Sequence, residues 1–307
     1  MIKGEKMASS LREIDQKTEM VNCDLCHSRD YRWIGNFSFC GSELSLVSCA
    51  VCGTAYTNPR LGSFELKKHF QDIQGVSENA VAYLRSYKAV VIKQIIKYLK
   101  EFKPGKLLDI GSSCGLFLNE ARELGWEVYG VEISLPNAEY SHRKYGLNVF
   151  NGYLRETKFQ DKSFKMVTII DTLYYCYHPV QELKEIYRIL EDDGLLFVRV
   201  ANRINYIRAW RIVRMLLGVS RHLSRNIFFE GMNDHLYFFD TGSLRKTLDA
   251  SGFRDIRFFN GAMAYKVKEG LFINNVRRAV VQLLNMAWWL SGGRMCFAPS
   301  IIAIARK

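Results

Sequence analysis

The chain has 307 residues, 48% of them hydrophobic and 24% charged, with a formal charge of +12 at neutral pH. That length accommodates one core of roughly 200 residues and a small satellite, so two domains are expected. No run of about 18 apolar residues offers a membrane span, and the opening residues lack the apolar stretch of a signal peptide, so a cytoplasmic protein is expected, with polyanions attracted by its charge.

In chain order, residues 1–20 are polar and aperiodic and read as a loose leader. Residues 21–60 carry Cys23-Asp24-Leu25-Cys26 and Cys49-Ala50-Val51-Cys52. Two such knuckles bring four thiolates around one tetrahedral zinc ion, and Gly53 permits the tight turn the second one needs. Because all four ligands come from the protein, a structural Zn2+ is expected in a knob held by metal rather than by a core. Cys40, Cys114, Cys176 and Cys296 read as ordinary thiols.

Residues 61–103 are expected to form a helical linker, with Val81, Leu84, Val90, Val91, Ile95, Ile96 and Leu99 at helical spacing, and Pro104-Gly105 ends it. From residue 104 to 307 strands and helices alternate. Strands are expected at 106–110, 127–131, 148–150, 166–170, 195–200, 256–259 and 301–305, and helices at 115–124, 136–145 and 180–190. This α/β alternation implies a Rossmann-like, seven-stranded, mostly parallel sheet with helices on both faces. An insertion, 261–299, separates the last two strands. The arginines from Arg199 to Arg225 read as the solvated face of a helix or as an anion-facing surface.

The first strand runs into Asp109-Ile110-Gly111-Ser112-Ser113-Cys114-Gly115 at the start of a helix, where open α/β sheets bind ligands. Gly111 and Gly115 allow a tight turn and a close backbone approach, while the helix N-terminus favours a carboxylate. Glu132 ends the second strand about 20 residues on, placed to accept hydrogen bonds from ribose hydroxyls.

These segments, with Gly125 to Ser134, Gly146 to Phe150 and Ser251-Gly252-Phe253, resemble the class I S-adenosylmethionine-dependent methyltransferases, and more narrowly the methyltransferase 23 group. The resemblance covers residues 105–260 and the last strand. It implies that Asp109, Gly111 and Gly115 hold the methionine end of S-adenosylmethionine, that Glu132 holds the ribose, that Ile133 packs on the adenine, and that Ser112 and Asp171 belong to the cofactor site. Asp161 falls in the family's turn before the fourth strand. Ser113 stands where the family's loop has a third glycine, a departure the loop tolerates if Ser113 avoids positive φ. The zinc module, through its tail from Cys52 to Arg60, is similar to one preceding the catalytic domain of sugar C-methyltransferases.

The fourth strand leads into Asp171-Thr172-Leu173-Tyr174-Tyr175-Cys176-Tyr177-His178-Pro179. Many relatives carry Glu-His where this chain has Tyr174 and Tyr175, so a general base, if one is used, comes from elsewhere. His235, in a His-Leu-Tyr-Phe-Phe segment common in the group, is the candidate; a neutral imidazole suits proton removal, and the alternative is a histidine that only structures the segment. Tyr174, Tyr175 and His178 are candidates for the acceptor pocket. The sulfonium of the cofactor is already activated, so proximity and in-line geometry dominate and a base is dispensable.

The expected activity is methylation of an oxygen or carbon of a small-molecule or glycan-linked acceptor, such as a nucleotide sugar or a surface polysaccharide. An RNA methyltransferase is the competing enzyme; the fourth strand lacks an Asn-Pro-Pro-Tyr type motif and no dense basic and aromatic face is evident, which makes nucleic acid the weaker partner. A zinc-ribbon binding module fused to a degenerate Rossmann domain is the non-catalytic alternative. Residues 270–293, with Arg277, Arg278, Trp288 and Trp289, read as a core helix of the insertion or as a contact with the inner membrane face.

Overall fold

The computed structural model describes residues 17–71, 76–202, 234–262, 282, 286, 290 and 298–307. Strand β1 (Thr18–Glu19) pairs antiparallel with β5 (Arg60–Leu61), drawing in two residues of the segment expected to be a loose leader. Between them β2 (Tyr31–Phe39) and β3 (Ser42–Cys49) form a hairpin closed by Cys40-Gly41. Both turn residues have positive φ, 50° and 79°, as a two-residue hairpin turn matching the strand twist requires.

Next to β3 lies β4 (Ala55–Thr57), and the fourth strand of this small sheet, β11 (Tyr237–Phe238), arrives from far along the chain. Phe37, Leu44, Leu46, Ala55, Leu61 and Phe238 pack into an apolar cluster. The cysteine segment therefore has a core of its own, contrary to the expectation of a knob held by metal alone, and it shares that core with the larger domain.

Helix α1 (Ser63–Gln71) and helix α2 (Glu78–Leu99) follow. Ser77 caps α2 by accepting a hydrogen bond from the Ala80 amide, and Val81, Val91, Ile95 and Leu99 form its buried stripe. Each such side chain contributes about 1.5–3 kcal/mol on burial.

The main sheet then builds in βαβ steps: β6 (Lys106–Ile110), α3 (Leu116–Glu123), β7 (Glu127–Glu132), α4 (Leu135–Tyr145), β8 (Asn148–Asn151), β9 (Phe164–Ile170), α5 (Pro179–Ile189), β10 (Leu190–Ala201), α6 (Thr241–Ala250), β12 (Arg254–Gly261) and β13 (Ser300–Arg306). Its order is β12-β13-β10-β9-β6-β7-β8. Strands β8, β7, β6, β9 and β10 run parallel, whereas β13 is antiparallel to both neighbours. Central strands covered on both faces explain the predominantly apolar runs Met166 to Ile170 and Leu195 to Val200, each interrupted by one buried polar residue, Thr168 and Arg199. The chain winds from β6 toward β8 and then from β9 toward β10, so the order reverses beside β6, and the crevice at the carboxyl ends of the strands opens there.

Among the described residues no helix is long and apolar enough to cross a membrane. Of residues 270–293 only Gln282, Met286 and Leu290 are described; all three are exposed, and the rest of that stretch lies outside the described residues.

Candidate active site: the cofactor crevice and the acceptor loop

The turn from β6 into α3 is shaped by three left-handed residues, Gly111 at φ 74°, Ser113 at 51° and Gly115 at 79°. A Cβ on Gly111 would collide with the Thr172 side chain, and one on Gly115 would meet Leu147 Cδ1 at 2.6 Å and Ser141 Cβ at 2.8 Å. Ser113 overturns the expectation that it avoids positive φ. The left-handed conformation costs a residue with a Cβ about 1–2 kcal/mol, and a charge-assisted bond from the Ser113 amide to Glu132 Oε2, 2.7 Å long, holds it there.

Glu132 is buried at the end of β7 and its other oxygen, Oε1, accepts the Ser134 amide at 2.8 Å. Burial raises its pKa, while the Ser134 and Ser113 amides and the charge of Lys88 act in the opposite sense. Asp109 is buried on β6 and accepts a 2.6 Å hydrogen bond from Thr168 Oγ1. Burial pushes its pKa up to about 7 against that bond and the charge of Lys88.

An open crevice is lined by Asp109, Gly111, Ser112, Ser113 and Cys114 on one side and by Leu84, Lys88 and Val91 of α2 on the other. The Oγ atoms of Ser112 and Ser134 are buried with no hydrogen-bond partner among the described residues. A ligand with a carboxylate, hydroxyls and an apolar ring fits that donor and acceptor set. Ile133 is half-buried just beyond β7, where Asn151 Nδ2 donates to its carbonyl at 3.1 Å and to that of Glu132 at 2.9 Å.

Lys88 is a site residue that the sequence reading missed. It lines the crevice opposite the glycine loop, and its charge partly offsets the rise that burial imposes on the pKa values of Asp109, Glu132 and Cys114. The signal was present: Lys88 is four residues from Leu84 and three from Val91, a charge on an otherwise apolar stripe.

The loop after β9 forms the second half of the site, and Thr172 packs it against Gly111. Asp171, at φ 55°, donates its amide to the Arg199 carbonyl, and its Oδ1 accepts from Arg199 Nη1. Arg199 also donates through Nη2 to Ser300 Oγ at 3.0 Å. With 4% exposure, Arg199 is an internal ion-pair partner and not part of a solvated or anion-facing basic surface. The other arginines of that run, from Arg203 to Arg225, lie outside the described residues.

Tyr174, Tyr175 and His235 form one aromatic cluster. The His235 ring lies 4.0 Å from that of Tyr174 and 5.3 Å from that of Tyr175, and Phe70 of α1 adds a contact at 5.1 Å to Tyr175. His235 is buried, with Nε2 3.8 Å from Asp234 Oδ1. Burial raises the pKa values of both tyrosines, so they are neutral hydroxyls at physiological pH. His235 and Asp234 also line a narrow cleft with Thr57 and Leu66 that does not admit a water molecule. His178 stands apart from this cluster; it is exposed, and its Nδ1 lies 3.1 Å from Asp24 Oδ1 in the cysteine segment.

Cys23, Cys26, Cys49 and Cys52 converge, with all four Sγ atoms within 4.8 Å of one another. The Cys23–Cys52 and Cys26–Cys49 separations are both 3.4 Å. Tetrahedral Zn–S bonds of about 2.3 Å place sulfurs about 3.8 Å apart, so the set fits one zinc ion. The amides of His27 and Gly53 donate to the carbonyls of Cys23 and Cys49, closing each knuckle as a tight turn.

A sheet whose order reverses beside its first strand, with a glycine turn facing an acidic residue on the second, is the architecture of class I S-adenosylmethionine-dependent methyltransferases. The sequence profile described as a methyltransferase domain, of the methyltransferase 23 group, matches residues 83–257, and the chain belongs to that family. An uncharacterized protein of Methanocaldococcus jannaschii is 32% identical over 138 residues, 44% of this chain and 51% of the relative, so the match spans about half the length of that relative. Among solved structures, an S-adenosylmethionine-dependent methyltransferase from Thermotoga maritima has a TM-score of 0.51 at 18% identity, covering 80% of this chain and 99% of that one. Phosphoethanolamine N-methyltransferase 2 from Haemonchus contortus, solved with S-adenosyl-L-methionine, has a TM-score of 0.52 at 15% identity, covering 89% and 71%. At those identities the two structures share the fold.

Proposed function

We propose that this methyltransferase acts on an oxygen or carbon of a small-molecule or glycan-linked acceptor, such as a nucleotide sugar, seated between the loop after β9 and the cysteine module. Lys88 and the Gly111–Gly115 turn take the carboxylate end of S-adenosylmethionine, Glu132 takes its ribose hydroxyls, and Ile133 flanks its adenine. When bound, the cofactor supplies an activated methyl group on its sulfonium. The observation that carries the reading is the crevice joining Asp109, the glycine turn and Lys88, with Thr172 packing the acceptor loop against Gly111.

On the acceptor side Tyr174 and Tyr175 present neutral hydroxyls. His235 accepts the proton released as the acceptor is methylated, and the nearby Asp234 carboxylate stabilises the resulting imidazolium. Cys23, Cys26, Cys49 and Cys52 hold a structural zinc ion. The test is transfer of a labelled methyl group from S-adenosylmethionine to a panel of nucleotide sugars, with His235→Ala alongside wild type. A labelled sugar whose formation falls 10²–10⁴-fold in the variant at unchanged cofactor affinity supports the reading; label entering RNA but no sugar refutes it.

A further inference from the structure

Asp24 lies between two of the converging cysteines, yet its carboxylate is directed into the larger domain. Oδ2 accepts the Val180 amide at 3.0 Å and Oδ1 lies 3.1 Å from His178 Nδ1. Helix α5 has His178 at its N-cap with no side-chain cap of its own, and Pro179 at its first position has no N–H, so Val180 carries one of its unpaired amides. The cap is thus supplied from another part of the chain, 156 residues away, and its negative charge complements the helix dipole.

The same module grips the loop before α5 at two more points. Arg60, buried and paired with Glu19, donates from Nη1 to the Tyr177 carbonyl at 2.8 Å and sits 4.1 Å above the Tyr177 ring. The Leu236 amide donates to the Tyr174 carbonyl at 2.9 Å, and Leu236 is itself tied to β4 through the Thr57 amide. Every one of these anchors holds the segment that carries Tyr174 and Tyr175, and none touches the glycine turn or Glu132.

We infer that the cysteine module is the positioning element of the acceptor loop, and that Asp24 is the positioning residue through which the metal knuckle holds the start of α5. Metal occupancy is thereby coupled to the order of the acceptor side and not to the cofactor side. The inference rests on reading the four cysteines as a zinc site.

The experiment uses the full chain loaded with zinc, as wild type, Asp24→Ala, Asp24→Asn and His178→Ala, with zinc content, S-adenosylhomocysteine affinity and amide hydrogen exchange measured on each. In Asp24→Ala the amides of residues 175–184 exchange about tenfold faster, the scale of a lost cap, while one zinc per chain and the cofactor affinity are kept within twofold. Asp24→Asn, retaining one acceptor oxygen for the Val180 amide, recovers part of the protection, and His178→Ala loses less than Asp24→Ala. Chelation of zinc accelerates the same peptide and leaves that of residues 106–118 unchanged. A chain that takes up no zinc overturns the metal reading. Wild-type exchange in zinc-loaded Asp24→Ala, or in Asp24→Asn and His178→Ala together should the alanine variant shed its metal, overturns the clamp.

Discussion

Replacing Glu132 by Gln keeps the shape of the side chain and removes its charge, which isolates what the carboxylate does. Its two oxygens each accept a backbone amide, from Ser113 at 2.7 Å and Ser134 at 2.8 Å. A glutamine has one acceptor oxygen, so one of those amides instead meets an NH2 group. A hydrogen bond to a charged group contributes about 1.5–3 kcal/mol, and the loss falls on the strained side of the turn if Ser113 is the amide released. In the folded apoprotein the cost is partly offset, because burial disfavours the charged form of Glu132 and the neutral amide escapes that penalty. With cofactor bound, the ribose hydroxyls lose a charged acceptor and no such offset exists. Glu132→Gln should therefore weaken S-adenosylhomocysteine binding about 10- to 100-fold by calorimetry, with a melting temperature lowered by only a few degrees. Unchanged affinity in a folded variant would refute the assignment of Glu132 to the cofactor.

Ser113→Gly should raise stability by about 0.5–1 kcal/mol, the relief of left-handed strain less the entropy of the added glycine, visible as a higher melting temperature; a drop would contradict the positive φ. Asp109 has a folded pKa raised to about 7 by burial. Its stabilising contribution is complete below its unfolded pKa of about 3.9 and is lost as pH rises through about 7. The melting temperature of wild type relative to Asp109→Asn should accordingly decline between pH 4 and 7 and level off above; a flat difference would contradict the shift. Lys88→Met should keep the apolar packing of α2 and weaken S-adenosylhomocysteine about tenfold, while removing little affinity for an analogue that lacks the carboxylate; equal losses for both ligands would remove Lys88 from the carboxylate end.

The parallel sheet was legible because its strands are covered on both faces, so Leu107-Leu108, Met166 to Ile170 and Leu195 to Val200 announce themselves without any partner. What escaped depends on distant partners. Strand β11 is two residues long and exists through pairing with β4, some 180 residues earlier. Helix α6 starts at an Asp240 capping box with few apolar residues behind it, Leu244 and Leu248 alone carrying its large apolar face. The conformation of Ser113 runs against the preference of serine and is imposed by Glu132 from the neighbouring strand. Arg199 looked like one of a surface series, and only its pairing with Asp171 across two strands shows it to be internal. The residues around the cofactor crevice were read together because their spacing follows from the βαβ unit itself; Tyr174, Tyr175 and His235 meet through tertiary contacts that no local pattern encodes, and His178 turned toward the cysteine module for the same reason.

A cofactor site formed by Asp109, the Gly111–Gly115 turn, Lys88 and Glu132 should bind S-adenosylhomocysteine in calorimetric titration of the zinc-loaded protein. One site per chain with a dissociation constant in the micromolar range, about −8 kcal/mol, is expected; absence of binding at millimolar ligand by a folded protein would show that these residues form no such site.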